Sequence, residues 1–186
     1  MKRLFVAIKA TPDPSFIHSF RCLRNQLRYE KIKWVEEHNI HITLKFLGET
    51  DESLIPRLCQ VFQEVGASVK AFSFQFTGLG IFGSSYQPRV IWVGITPAED
   101  LVACMKLLQK YSEPLGFPPD RQRHVPHLTL GRINMLKDKR LFQETIHAFN
   151  TLSSLPIPAD QLILYESILH RTGPEYIVIQ SFPFKK

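Results

Sequence analysis

The sequence predicts a two-lobed domain of mixed strands and helices, built from two copies of a strand–helix–strand unit. Three observations predict it. The tetrads His41-Ile42-Thr43-Leu44 and His127-Leu128-Thr129-Leu130 share the pattern His-x-Thr-Leu and lie 86 residues apart. Val6-Ala7-Ile8 is echoed by Val93-Gly94-Ile95, 87 residues on. A helical pattern starting near Pro14 is echoed by one starting near Asp100, 86 residues on. Two copies at nearly one offset make a paired-lobe domain, not a solenoid, which stacks more repeats. A twofold-like arrangement sets equivalent strands opposite each other and brings His41 and His127 to one cleft.

Residues 4–8 are an apolar run of strand length. Thr11-Pro12-Asp13-Pro14 turns the chain, with Asp13 suited to cap a helix and Pro14 to its first position. Phe16, Ile17, Phe20, Leu23 and Leu27 then recur at helical spacing. Residues 32–35 read as a short strand, 36–39 as a polar turn, and 40–47 as the strand carrying the first tetrad. After a break at 48–52, Leu54, Ile55, Leu58, Val61, Phe62 and Val65 mark a second helix. Residues 72–79 alternate as a strand does, and 80–88, with two glycines and a proline, read as a loop. Residues 89–95 open the second copy as a strand. Past the second tetrad, 138–150 reads as a helix with Leu141, Ile146 and Phe149 apolar. Strands near 162–169 and 176–182, joined by Arg171-Thr172-Gly173-Pro174-Glu175, read as a hairpin. No linker or low-complexity stretch divides the chain, so residues 1–186 are expected to form one domain whose two lobes share a core.

Composition bounds the setting. The chain has 186 residues, 44% hydrophobic and 22% charged, which is ordinary globular usage and enough to bury a large core. Lys2 and Arg3 precede only five apolar residues before Lys9, too short for a signal-peptide core. No run approaches the roughly 18 apolar residues of a membrane span, so a soluble, cytoplasmic protein without a membrane partner is expected. Cys22, Cys59 and Cys104 are odd in number and lack zinc spacing, which fits thiols in a reducing compartment. The net charge of +6, from 23 Lys+Arg against 17 Asp+Glu, favours an anionic partner such as RNA or a phosphate-bearing small molecule.

The tetrads carry the chemistry. Successive side chains of a strand point to opposite faces, so His41 and Thr43 share one face and Ile42 and Leu44 the other. The same holds for His127 and Thr129 against Leu128 and Leu130. Two imidazoles flanking one phosphorus divide the labour: one takes a proton from the attacking water, the other gives one to the leaving oxygen. Threonine hydroxyls beside them hydrogen-bond the phosphate oxygens, where charge accumulates. Opening a cyclic phosphodiester this way demands no metal and no other cofactor, and no carboxylate cluster stands out to hold a metal. A single His-x-Thr is more often half-buried packing than a site. Its recurrence at the repeat offset favours function, because core packing gives no reason to keep a polar pair at matching places.

His41-Ile42-Thr43-Leu44-Lys45-Phe46-Leu47-Gly48-Glu49 and Pro126-His127-Leu128-Thr129-Leu130-Gly131-Arg132 resemble the paired signatures of the two-histidine (2H) phosphoesterase superfamily. Arg3-Leu4-Phe5-Val6-Ala7-Ile8, Trp34-Val35, Pro88-Arg89-Val90-Ile91-Trp92-Val93-Gly94 and Leu164-Tyr165-Glu166-Ser167 resemble its RNA 2′,3′-cyclic phosphodiesterase branch, whose members are also called 2′-5′ RNA ligases. The resemblance runs from about residue 3 to residue 180. It implies a bilobal α+β fold with antiparallel sheets flanking a central cleft and helices outside. It implies metal-independent opening of RNA 2′,3′-cyclic phosphate ends to 2′-phosphates; separately, a monomer is expected. It implies as a side activity reversible 2′-5′ ligation, in which a cyclic phosphate end is joined to a 5′-hydroxyl. It assigns His41 as proton donor, His127 as acceptor, and Thr43, Thr129 and Arg132 as phosphate ligands.

Four of the surrounding residues have open readings. Strict alternation sets Arg132 on the face of Leu128 and Leu130, away from His127, unless Gly131 marks a bulge that re-aims it. Lys45 alternates onto the His41 face, at the cleft rim or solvated. Phe5 either stacks on a base or packs in the core. His124 reads as an RNA contact at the cleft rim, since Val125-Pro126 and a loop location do not suit a metal-ligand pair with His127. Arg121-Gln122-Arg123-His124 is either a solvated loop or a contact to the RNA backbone. Two rival functions remain: a 2H enzyme acting on another cyclic phosphate, such as a small nucleotide or ADP-ribose derivative, and a non-catalytic RNA-end-binding protein.

Overall fold

The computed structural model describes residues 1–84, 86–119, 125–171 and 173–185. In chain order the elements are β1 (Lys2–Lys9), α1 (Pro14–Gln26), β2 (Lys31–Trp34), β3 (His41–Thr50), α2 (Ile55–Ser68), β4 (Phe72–Gly83) and β5 (Pro88–Thr96). There follow α3 (Glu99–Ser112), β6 (Leu128–Met135), α4 (Lys139–Ala148), β7 (Ile157–Ala159), β8 (Gln161–Leu169) and β9 (Pro174–Pro183). The strands pair antiparallel in two sheets, ordered β3-β1-β8-β9 and β2-β6-β5-β4-β7. This is the α+β architecture that the resemblance implied.

Local chemistry explains the helix starts. The Asp13 carboxylate accepts from the Ser15 and Phe16 amides at 3.1 and 3.2 Å, and Pro14 fills the first helical position of α1. Its other oxygen accepts from the Leu155 amide at 2.8 Å, so the cap also pins the segment after α4. Hydrogen bonds from the Ser15 hydroxyl and from the Leu155 and Phe16 amides hold the Asp13 carboxyl down at about 2. Asp138 caps α4 through the Leu141 amide at 2.9 Å. Glu30, just before β2, accepts the Lys137 and Asp138 amides at 2.5 and 3.2 Å and ties β2 to the start of α4.

Two elements depart from expectation. Strand β4 runs on to Gly83, through residues read as a loop. Gly80 belongs there because the indole of Trp92, its cross-strand partner, lies over it; a Cβ would come within 2.4 Å of Trp92 Cζ2. Strand β7 was not anticipated, its three residues being too few to show alternation.

The main core is one cluster reaching both sheets. Val6 and Ile8 of β1 and Ile42 and Leu44 of β3 join Ile91 and Val93 of β5 and Leu128 and Leu130 of β6, packed with Phe20 of α1, Phe62 of α2 and Leu108 of α3. A smaller cluster of Phe5, Ala7, Ile163 and Tyr165, with Tyr176 against it, occupies the opposite face of the first sheet. Among the described residues no helix is long and apolar enough to cross a membrane. The thiols of Cys22, Cys59 and Cys104 are unbridged.

Candidate active site

Both tetrads carry a one-residue bulge at the same place. Against β1, Thr43 lies opposite Ala7 and Lys45 opposite Val6, so Leu44 is the extra residue. Against β5, Thr129 lies opposite Trp92 and Gly131 opposite Ile91, so Leu130 is the extra residue. A bulge inverts the side-chain phase of everything that follows it.

The inversion relocates two predicted residues. Lys45 falls on the core-facing side with Val6, is only 2% exposed, and donates from Nζ to the Pro118 carbonyl at 2.8 Å. It is therefore neither at the rim nor solvated, as strict alternation had suggested. Phe46 takes the cleft-facing place instead, opposite Phe5 and 59% exposed. In β6 the bulge sends Gly131 to the core side, where a Cβ would meet Ile32 Cγ2 at 2.9 Å and the Trp34 ring at 3.0 Å. Arg132 is thereby turned onto the face of Thr129, and its conflict with strict alternation disappears. The bulge that does this sits at Leu130, one residue before the glycine.

The two histidines are tethered alike. His41 Nδ1 lies 2.6 Å from the Asn39 carbonyl oxygen and His127 Nδ1 lies 2.8 Å from that of Val125, each two residues upstream. A carbonyl only accepts, so Nδ1 carries the proton in both, and Nε2 is the nitrogen left for chemistry. Their surroundings differ. His41 keeps some exposed surface but lies deep among the rings of Phe5 at 5.2 Å, Tyr176 at 5.1 Å and Tyr165 at 6.4 Å. Burial there pushes its pKa below the ordinary value, with the Asn39 carbonyl opposing. His127, one residue ahead of β6, meets Phe82 edge-on at 4.8 Å and Trp92 at 6.4 Å.

Strands β3 and β6 approach each other although they belong to different sheets. Tyr176 of β9 has its hydroxyl pKa raised by burial, while the nearby charges of Arg132 and Arg3 oppose the rise. Arg132 thus lies close enough to act on a residue of the other sheet. Phe5 is 3% exposed and wedged between His41 and Tyr165, so it forms the pocket wall under the imidazole. His124 and the basic stretch 121–124 lie outside the described residues. Among the described residues no three His, Cys, Asp or Glu side chains are grouped to hold a metal ion.

Sequence reasoning did not single out Phe82, Trp92, Tyr165 or Tyr176 as flanking the histidines. One signal was available: Trp92 alternates with Ile91 and Val93, both buried, and so had to face away from the core. Tyr165 sits in an unbroken apolar run, Leu162-Ile163-Leu164-Tyr165, which carries no face information.

Comparison with known proteins bears on this arrangement. The LigT-like phosphoesterase family matches residues 11–92. An RNA 2′,3′-cyclic phosphodiesterase of Methanocaldococcus jannaschii is 31% identical over 180 residues, covering 97% of this chain and 99% of its own. One from Thermotoga maritima is 32% identical over 152 residues, covering 82% and 79% respectively. A Thermus thermophilus crystal structure shares the fold at TM-score 0.78 and 24% identity, covering 98% of this chain and 97% of its own. Escherichia coli LigT solved with 3′-AMP shares it at TM-score 0.72 and 20% identity, covering 100% of this chain and 99% of its own.

Proposed function

The chain belongs to the LigT-like (2H) phosphoesterase family, and from that premise we propose that it is an RNA 2′,3′-cyclic phosphodiesterase working by paired histidines. The observation that carries this reading is the matched pair of His-x-Thr faces, each imidazole tethered through Nδ1 and each strand bulged at the following leucine. Neutral His127 accepts through Nε2 the proton of a water attacking the phosphorus in line. The bond from phosphorus to the ribose 3′ oxygen breaks, and His41 gives that oxygen its proton. The products are a 2′-phosphate and a 3′-hydroxyl, and proton exchange with solvent resets the pair. Thr43, Thr129 and Arg132 bind the phosphate oxygens, where charge builds. No metal or cofactor enters these steps. With an RNA 5′-hydroxyl in place of water as the attacking group, the same steps open the ring to a 2′-5′ linkage, and run backward they cleave it.

The aromatic surroundings of His41 add a condition. Burial favours the neutral imidazole in the empty cleft, whereas a phosphate anion beside it favours the charged one. His41 is therefore armed as a donor by the substrate itself. We assign the chain one domain of two lobes related by duplication, acting as a cytoplasmic monomer; three unbridged thiols support the compartment.

A short RNA ending in a 2′,3′-cyclic phosphate tests the proposal. It is incubated with excess chelator and with wild-type protein, His41→Ala or His127→Ala, and the product end is identified. A 2′-phosphate formed by the wild type and reduced at least about 1,000-fold in either variant is expected. RNA bound without hydrolysis would favour an end-binding protein, and turnover stopped by the chelator would overturn the two-histidine mechanism.

A further inference from the structure

Arg132 begins a row of cations that leads from the histidines to the edge of the second sheet. Across β4, β5, β6 and β2, in register, lie Phe82, Val90, Arg132 and Lys33. Ile32 and Trp34 pack against the core, so Lys31 and Lys33, which alternate with them, point to the opposite face, the one that carries Arg132 and Thr129. Strand β2 is the sheet edge, and Lys31, Lys33 and Arg132 are all exposed. Among the described residues none of the three has an ion-pair partner. The carboxylates flanking β2 are engaged elsewhere: Glu30 by the amides opening α4, Glu36 by Arg24 at 3.9 Å, and Glu37 by Arg21 at 2.7 Å. The positive charge of this row is thus left for something outside the chain.

We propose that Lys33 and Lys31, continuing from Arg132, form a subsite for backbone phosphates of an RNA chain, so that a polynucleotide is preferred over a mononucleotide cyclic phosphate. This rests on the phosphodiesterase reading above. From Arg132 to Lys33 is one strand spacing, about 4.8 Å, and from Lys33 to Lys31 two residues along a strand, about 6.6 Å. Cations in such steps follow a backbone phosphate by phosphate, as a positively charged groove tracks a single strand without reading its sequence. A mononucleotide, with its one phosphate held at the histidines, leaves the two lysines without a ligand.

The test compares kcat/KM on a ten-nucleotide RNA ending in a 2′,3′-cyclic phosphate with kcat/KM on a nucleoside 2′,3′-cyclic monophosphate. Wild type, Lys31→Glu/Lys33→Glu and Lys31→Gln/Lys33→Gln are measured at several salt concentrations. The ratio should fall about tenfold in the double Glu variant and less in the double Gln variant. The slope of log kcat/KM for the RNA against log salt should flatten by about 1.4, for two lost single-strand phosphate contacts. An unaltered ratio and slope would overturn the subsite. Fluorescence anisotropy with the same RNA bearing a 2′-phosphate end reads binding without turnover. If the wild type hydrolyses neither substrate, the phosphodiesterase reading fails. The anisotropy then decides separately: equal affinity of wild type and variants would overturn the subsite, and weaker binding by the variants would support it.

Discussion

A neutral imidazole whose Nδ1 proton is committed to a backbone carbonyl has one lone pair left, on Nε2, and can rotate little. Asn39 and Val125 supply those carbonyls, so the chain positions each histidine from its own upstream backbone. Burial among the aromatic rings then makes His41 hard to charge. Its pKa in the folded protein lies below the unfolded value of about 6.5. As pH falls through about 6.5 the unfolded chain takes up a proton that the folded chain refuses, so this group's contribution to stability is full above that pH and is lost toward the folded pKa. Thermal midpoints should therefore drop on mild acidification, and drop less in His41→Gln, which cannot titrate. Tyr176→Ala removes one wall and admits water, and should raise the His41 pKa toward 6.5 in an NMR titration of the imidazole protons. An unmoved pKa in that variant would mean that the Tyr176 ring does not keep His41 neutral.

Between the residue and the fold stand the bulged strand pairs. The second site wall depends on β4, whose Gly80 leaves room for the Trp92 indole, which in turn stacks on Phe82 at 5.1 Å and flanks His127. Gly80→Ala puts a methyl group into that ring, so Trp92 must move and take Phe82 with it. Overpacking of this kind should cost about 1–3 kcal/mol in urea denaturation. It should also shift the emission of Trp92 in a Trp34→Phe background and lower kcat/KM on a cyclic-phosphate RNA. Wild-type stability and emission would contradict the packing. The tetrads themselves were legible because alternation is a property of residue order. The bulges were not, because Leu44 and Leu130 are extra only relative to Ala7 and Trp92 on neighbouring strands. Strict alternation puts Lys45 and Arg132 on the wrong faces for that one reason. The far end of β4 is hidden in the sequence because Gly80 and Gly83 signal a turn until the partner strand is known.

At the scale of the whole chain, the duplicated motifs announced two lobes, but only packing tells whether they stand or fall together. The main core runs without interruption from Phe182 of β9 and Phe62 of α2 to Trp34 and Ile91 of the second sheet. Phe62 meets Phe182 edge-on at 6.0 Å, on the far side of the first sheet from His41. Both tryptophans of the chain, Trp34 and Trp92, lie in the second sheet, on β2 and β5. This separation makes an internal reporter. Phe62→Ala empties a fully buried site and should cost about 3–5 kcal/mol. With one shared core, the urea midpoint read by tryptophan fluorescence falls by the same amount as that read by far-ultraviolet circular dichroism, because unfolding is a single transition. If the lobes were independent, tryptophan emission would keep its wild-type midpoint while the dichroism split into two steps. The first outcome would also mean that the two tetrad strands, which belong to different sheets, are backed by a core that does not yield one lobe at a time.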